Sequence, residues 1–142
     1  MNSNLRPFHL AIPVNSIEKA REFYGDLLGF EEGRSMEGWI DWNFFGHQLV
    51  THLNKTQSDN NIVNLVDGHG VPVPHFGIIL EWDKWHEFSE KLKSVHIKFE
   101  IEPYIRFKDT NGEQATMFFL DPFKNALEFK AFKNDDNLFK KF

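Results

Sequence analysis

The feature that most constrains this chain is an internal repeat. His9-Leu10-Ala11-Ile12-Pro13-Val14 resembles His75-Phe76-Gly77-Ile78-Ile79-Leu80. Each segment reads as a short strand that begins at a histidine, and each is followed at once by a helical pattern. The first helix is expected over about Ser16 to Leu28, with Ile17, Ala20, Tyr24, Leu27 and Leu28 on one face. Asn15 is the expected N-cap, Glu18 completes a capping box and Gly29 is the stop. The second helix is expected over about Asp83 to Val95, with Trp85, Phe88, Leu92 and Val95 inward and Asp83 as cap. Three strands follow in each half. In the first they are about Phe30–Arg34, Gly38–Phe45 and Gln48–Leu53, with Gly46-His47 at a tight turn. In the second they are about Lys98–Tyr104, Glu113–Leu120 and Ala126–Phe132, with turns at Lys108–Gly112 and Asp121–Asn125. Each half reads strand–helix–strand–strand–strand.

The sequence thus reads as one domain over residues 1–142, built by duplication. Module one covers about 7–54, a linker about 55–73, module two about 74–133 and a tail 134–142. The linker's Asn, Ser, Asp and Gly content and its Val71-Pro72-Val73-Pro74 end read as a loop. The tail either adds a helical turn over an apolar groove or frays.

Side chains alternate across a strand, so one parity faces the helices and the other faces away. Phe8, Leu10 and Ile12 share one face of the first strand, and His9 shares the other with Ala11. Likewise Phe76, Ile78 and Leu80 oppose His75, and Leu127, Phe129 and Ala131 oppose Glu128. In Gln48–Leu53 the apolar pair Leu49 and Leu53 opposes His52. A sheet curved around the second face brings His9, His52, His75 and Glu128 together. His9, His75 and Glu128 make a two-histidine, one-carboxylate set, which suits Fe(II) first, with Zn, Ni or Mn as alternatives.

Composition narrows the chemistry. The chain has 7 His and 0 Cys, so thiolate chemistry, disulfides and cysteine-based zinc sites are excluded. Its 16 Phe promise a bulky core. A net charge of −5 argues against nucleic acid as a partner. No apolar run reaches the roughly 18 residues of a membrane span. Met1 to Arg6 lack the apolar stretch of a signal peptide, so a cytoplasmic location is expected.

The pattern resembles the vicinal oxygen chelate superfamily, which holds glyoxalases, extradiol dioxygenases and bleomycin-resistance proteins. The resemblance runs from Phe8 to Phe132. It is carried by the His9–Val14 strand, by Ala20-Arg21-Glu22-Phe23-Tyr24-Gly25-Asp26-Leu27-Leu28-Gly29-Phe30, by Pro74-His75-Phe76-Gly77 and by Phe118 to Phe129 with its Asp-Pro…Asn-Ala-Leu-Glu stretch. Phe44–Gln48, Pro72–His75 and Gly112–Phe119 are shared with small proteins predicted to be extradiol-type dioxygenases. The resemblance implies an α+β fold of two βαβββ modules forming a cupped mixed sheet around a metal. It implies metal ligands at His9, His75 and Glu128, and a homodimer. Glyoxalases usually carry a carboxylate or other ligand at the His52 position, so His52 is either a fourth ligand or an acid/base.

The implied activity is ring-cleaving dioxygenation of a vicinal diol or catechol-like small molecule. The alternatives are a glyoxalase-type isomerase or lyase, and a binding protein of the bleomycin-resistance kind. His52 is the first candidate for acid/base work. Tyr24 has the chemistry, but its helical spacing says core. Arg34 and Arg106 can bind a substrate carboxylate in bidentate fashion, or simply lie on the surface. Trp39, Trp42, Phe44 and Phe45 either wall a pocket or pack the sheet. Glu113 and Gln114 either support the site or end a strand. Of the other histidines, His47 falls in a turn and His69 in a loop that can close over the site, while His86 and His96 read as structural or exposed.

Overall fold

The computed structural model describes residues 5–55 and 62–141. Its contacts divide the chain into two compact units, Met1–Asp59 and Asn60–Phe142.

In the first unit β1 (His9–Val14) leads through a helix to β2 (Glu31–Met36), β3 (Trp39–Phe44) and β4 (His47–Leu53). The sheet order is β1-β4-β3-β2. β1 and β4 run parallel, and the other pairs are antiparallel. Ile12, Val14, Ile40, Trp42, Phe44, Leu49 and Thr51 are buried on one parity. The opposite parity carries His9, Gln48 and His52, as the alternation predicts.

The helix α1 is α-helical only over Ile17–Ala20 and continues as a π-helix over Arg21–Leu27. The Leu28 N–H donates to the Phe23 carbonyl, five residues back, at 2.9 Å. The wider turn brings Phe23, Tyr24 and Leu28 all inward. It occurs where a β-carbon on Gly25 would stand 3.2 Å from the Trp42 ring. The N-cap is Ser16 rather than Asn15, because the Ser16 hydroxyl accepts from the Lys19 N–H at 3.1 Å. The β3–β4 turn is Phe45-Gly46 (φ 52° and 86°), one residue earlier than expected.

The second unit opens with a hairpin where the sequence suggested a loop. β5 (Ile62–Val66) pairs antiparallel with β6 (His69–Val73). The turn is Asp67-Gly68 with φ of 51° and 79°, the left-handed pair that a two-residue hairpin requires. Residues 56–61 of the expected linker lie outside the described residues.

The expected strand 75–80 is split into β7 (His75–Phe76) and β8 (Ile79–Leu80), both parallel to β11 (Ala126–Phe132). The break is at Gly77, where the backbone of Glu128 fills the space a side chain would need. Between them in sequence lie α2 (Trp82–Ser94), β9 (Phe99–Arg106) and β10 (Gln114–Leu120). The sheet order is β7-β11-β10-β9. α2 begins one residue earlier than expected, and neither its N-cap Glu81 nor Asp83 supplies a capping bond. Its Trp85 indole donates to the Phe129 carbonyl at 2.7 Å, and Phe88 meets the Phe129 ring edge-on. Met117, Phe119, Leu127, Phe129 and Ala131 are fully buried on that parity. On the other parity the hairpin packs against the sheet, Val71 joining Ile101 and Phe118 with Tyr104 beside them.

The tail forms a short 3-10 turn, Asp135–Asn137, capped by the Asn134 side chain. Asn137 ties it to the Asn111 carbonyl. Among the described residues no helix is long and apolar enough to cross a membrane.

Candidate metal centre

β11 places Glu128 through a turn that its own sequence dictates. Asp121 Oδ1 accepts from the N–H groups of Phe123 (2.9 Å) and Asn125 (2.8 Å), and Oδ2 accepts from the Asn125 amide at 2.8 Å. A carboxylate only 4% exposed is therefore well satisfied, and β11 starts in a fixed register. Glu128 then falls on the parity away from α2, opposite Phe118.

His75 stands beside it. The His75 Nδ1–H donates to the Pro72 carbonyl at 2.7 Å, and Nε2 lies 3.3 Å from Glu128 Oε1. Thr116 donates its hydroxyl to Glu128 Oε2 at 2.5 Å. The hydrogen bond to Glu128 holds the His75 pKa above its ordinary value, against the effect of burial. For Glu128, burial pushes upward, but the bonds from His75 and Thr116 and the charge of Lys130 bring it below the ordinary carboxylate value.

In the first unit the same device recurs. His9 donates from Nδ1 to the Gln48 side-chain oxygen at 2.7 Å. A carbonyl on one ring nitrogen leaves the other with its lone pair, the arrangement found behind metal-binding histidines. His47 has the opposite tautomer, since its Nδ1 accepts from the Phe8 N–H at 2.8 Å. His47 thus anchors the entry to β1. His52 lines a shallow cleft of about 220 Å³ together with His9, Arg34, Trp39, Asp41 and Gln48.

These donors suit a divalent cation. Two ligands about 2.1 Å from one metal and at right angles are about 3 Å apart, near the separation of His75 Nε2 and Glu128 Oε1. Within either unit, among the described residues, no group of three or more ligand-type side chains stands together.

The other candidates have visible partners. Trp42 is 2% exposed and donates to the Thr51 hydroxyl at 3.0 Å, so it packs the core while Trp39 faces the cleft. Tyr24 is buried with it. Arg106 pairs with Asp67 at 2.5 Å, and Tyr104 donates to the same carboxylate at 2.9 Å. Burial, then Asp67, pushes the Tyr104 phenol up to about 12. Glu113 is 6% exposed, accepts from the Asp109 N–H at 2.9 Å and lies 3.5 Å from Lys133, which closes the 108–112 turn. His69 lies tilted at 45° against the Tyr104 ring, and His86 lies edge-on to Trp82 and Trp85. His96 ends α2 with φ 61°. Arg34 is exposed, 3.9 Å from Asp41.

Three supporting residues escaped the sequence reading: Gln48 behind His9, Thr116 behind Glu128 and Asp67 behind Arg106. Gln48 and Thr116 meet their partners across neighbouring strands, and Asp67 meets Arg106 from the β5–β6 turn. For Gln48 and Thr116 the only signal in the sequence is a polar residue on the ligand parity.

The Glyoxalase/Bleomycin resistance protein/Dioxygenase superfamily matches residues 6–129. Among solved structures, a glyoxalase/bleomycin resistance protein/dioxygenase from Alicyclobacillus acidocaldarius is 31% identical, covers 98% of this chain and 100% of its own, and has a TM-score of 0.82. A glyoxalase/dioxygenase from Nostoc punctiforme is 16% identical over 94% of this chain and 99% of its own (TM-score 0.65). The fosfomycin resistance protein FosX from Listeria monocytogenes is 17% identical over 92% of this chain and 94% of its own (TM-score 0.59). These two likenesses show the fold alone. No curated protein matches the chain. The α+β architecture, the family match over most of the length and the similarity to the Alicyclobacillus protein together show that the chain belongs to the Glyoxalase/Bleomycin resistance protein/Dioxygenase superfamily, that of the vicinal oxygen chelate proteins.

Proposed function

We propose that this protein is a metal-dependent vicinal oxygen chelate enzyme, an extradiol-type ring-cleaving dioxygenase acting on a vicinal diol or catechol-like small molecule. The observation that carries the reading is the His75–Glu128 pair. An imidazole held by Pro72 turns its free nitrogen toward a carboxylate oxygen 3.3 Å away. Two lone-pair donors that face each other so closely require a cation between them, a proton or a metal ion. The third ligand in this reading is His9, an assignment that rests on the register of the two modules in the sequence and on the Gln48 bond behind it.

A divalent ion held there, Fe(II) first and Zn, Ni or Mn otherwise, would polarise two vicinal substrate oxygens and, as Fe(II), supply electrons to oxygen. Thr116 keeps one Glu128 oxygen occupied so that the other stays directed at the site. Pro72 and Gln48 hold the two imidazoles in their ligating tautomer. His52 takes the substrate proton as acid/base. The protein works as a cytoplasmic homodimer in this reading.

The test is metal analysis of protein purified without chelator, followed by oxygen-electrode assays with catechols. Bound iron and oxygen uptake matched by ring-cleaved product are expected, and both are lost in His75→Ala and Glu128→Gln. Stoichiometric Ni or Zn with no oxygen consumption overturns the dioxygenase in favour of an isomerase or lyase. No metal affinity at all overturns both.

A further inference from the structure

The β5–β6 hairpin forms a two-stranded sheet of its own, with no ladder to the main sheet of the second unit among the described residues. A lone two-stranded hairpin is marginal in water, so its place depends on what it is fastened to. Its contacts follow one another along β6. At the tip, Asp67 Oδ2 accepts from Arg106 Nε at 2.5 Å and from the Tyr104 hydroxyl at 2.9 Å. The His69 ring then meets the Tyr104 ring, with centroids 5.0 Å apart. Farther on, Val71 is buried with Ile101 and Phe118. At the base, the Pro72 carbonyl takes the His75 Nδ1–H at 2.7 Å.

These contacts run from one edge of the sheet to the other. Tyr104 and Arg106 lie on β9, opposite Thr116 and Gln114, and so on the parity that carries Glu128. His75 pairs with Ala126 of β11 from the far edge. Five residues of strand, from Asp67 to Pro72, reach about 16 Å, and the three strand spacings from β9 to β7 make about 14 Å. The hairpin thus crosses the ligand face. Its two ends have different tasks. Sheet pairing fixes the His75 backbone, but the rotation of the ring is set by a carbonyl that belongs to the hairpin. A hairpin that shifts carries that carbonyl away from the ring. The tip is the end with least cover, since Leu65 and Val66 beside Asp67 are exposed. Without Asp67, the described contacts of the tip reduce to the His69–Tyr104 pair.

We propose that the hairpin is a strap across the ligand face, and that Asp67, by fastening its tip to Arg106 and Tyr104, is a positioning residue for the His75 imidazole. This deepens the metal-dependent reading by naming a residue that sets one of its ligands. It rests on that reading for metal affinity but not for the placement of the ring.

The test uses the full chain, first free of metal and then titrated with Co(II). At mildly acidic pH both ring nitrogens of His75 carry a proton. The Nδ1 proton bonded to Pro72 should give a slowly exchanging NMR signal, assigned by its loss in His75→Gln. Asp67→Ala should speed its exchange with water about fivefold and weaken Co(II) binding about fivefold, the lower end of coupling between linked sites. Arg106→Gln breaks the clasp from the sheet side and should have the same two effects. Combined with Asp67→Ala it should add nothing, because both remove one clasp. Glu90→Ala breaks an exposed pair with Lys93 on α2 and should leave both readings at wild type. Melting curves confirm that each variant is folded. A wild-type exchange rate in Asp67→Ala or Arg106→Gln overturns the proposal, as do effects that sum in the double variant. Protein that binds no Co(II) refutes the metal reading and leaves the exchange test standing. Normal Co(II) binding in both clasp variants overturns the strap alone.

Discussion

Gly77 is the position where one methyl group does most damage. A β-carbon built there would lie 1.5 Å from the Glu128 carbonyl oxygen and 2.6 Å from its carbon. Carbon–oxygen contacts stay near 3.3 Å or beyond, so β11 and the Gly77 backbone would have to part by roughly 1.8 Å. Overpacking of this kind costs about 1–3 kcal/mol. The Lys130 N–H bond to the Ile78 carbonyl, 3.1 Å long, sits beside the clash and adds about 1 kcal/mol if broken. Gly77→Ala should therefore lose about 2–4 kcal/mol. For a chain of this size that lowers Tm by about 10 °C, read by differential scanning calorimetry on metal-free protein. Gly38→Ala is the control, because a β-carbon there meets nothing within 4 Å. It should melt within a degree or two of the wild type. A Gly77→Ala variant that melts with the control would refute the claim that β7, β8 and β11 approach through a space only glycine leaves.

Three further outcomes are expected. The His75 pKa is raised above 6.5, so its contribution to stability is full below that pH and fades as pH rises through the folded value. That of Glu128 is lowered below 4.5, so its contribution is present above that pH and fades as pH falls through the folded value. The Tm difference between metal-free wild type and Glu128→Gln should thus peak between about 4.5 and 6.5, and a flat profile would count against the pair. Thr116→Val removes the donor to Glu128 Oε2 and should weaken metal binding about tenfold in a titration, whereas unchanged affinity means Thr116 only fills space. Asp67→Asn should lower the Tyr104 pKa from about 12 in an alkaline absorbance titration, with Tyr104→Phe assigning the signal. A phenol that stays at about 12 would mean that burial alone raises it.

The parity of the candidate residues was legible in the sequence because a strand has a period of two and the apolar residues lie on one phase. His9, His52, His75 and Glu128 could be separated from Leu10, Leu49, Phe76 and Phe129 without knowing any contact. The Asp67-Gly68 hairpin was also written in the chain, but its residues read equally well as loop formers, and only the apolar runs on either side distinguish the two. The π-helical turn was not legible at all. It depends on Gly25 meeting Trp42, residues on different elements whose approach no local pattern records. The break at Gly77 has the same origin. The bond behind His9 was hidden by distance, since Gln48 lies 39 residues from it. A visible phase says which side a residue faces, while its partner is set by register.

Register gives the Asp121 turn a further meaning. The three hydrogen bonds to the Asp121 carboxylate help decide which residue of β11 lies opposite Phe118. A shift of one position would replace Glu128 on that face with Leu127 or Phe129 and turn the carboxylate toward α2. Substitutions around the site can tune its chemistry by degrees. Insertions or deletions between Asp121 and Ala126 have no such gradation, because a one-residue step exchanges a carboxylate for a hydrocarbon. The turn acts as a frame marker for the strand that follows, and change in this fold is confined to whatever leaves that frame in place.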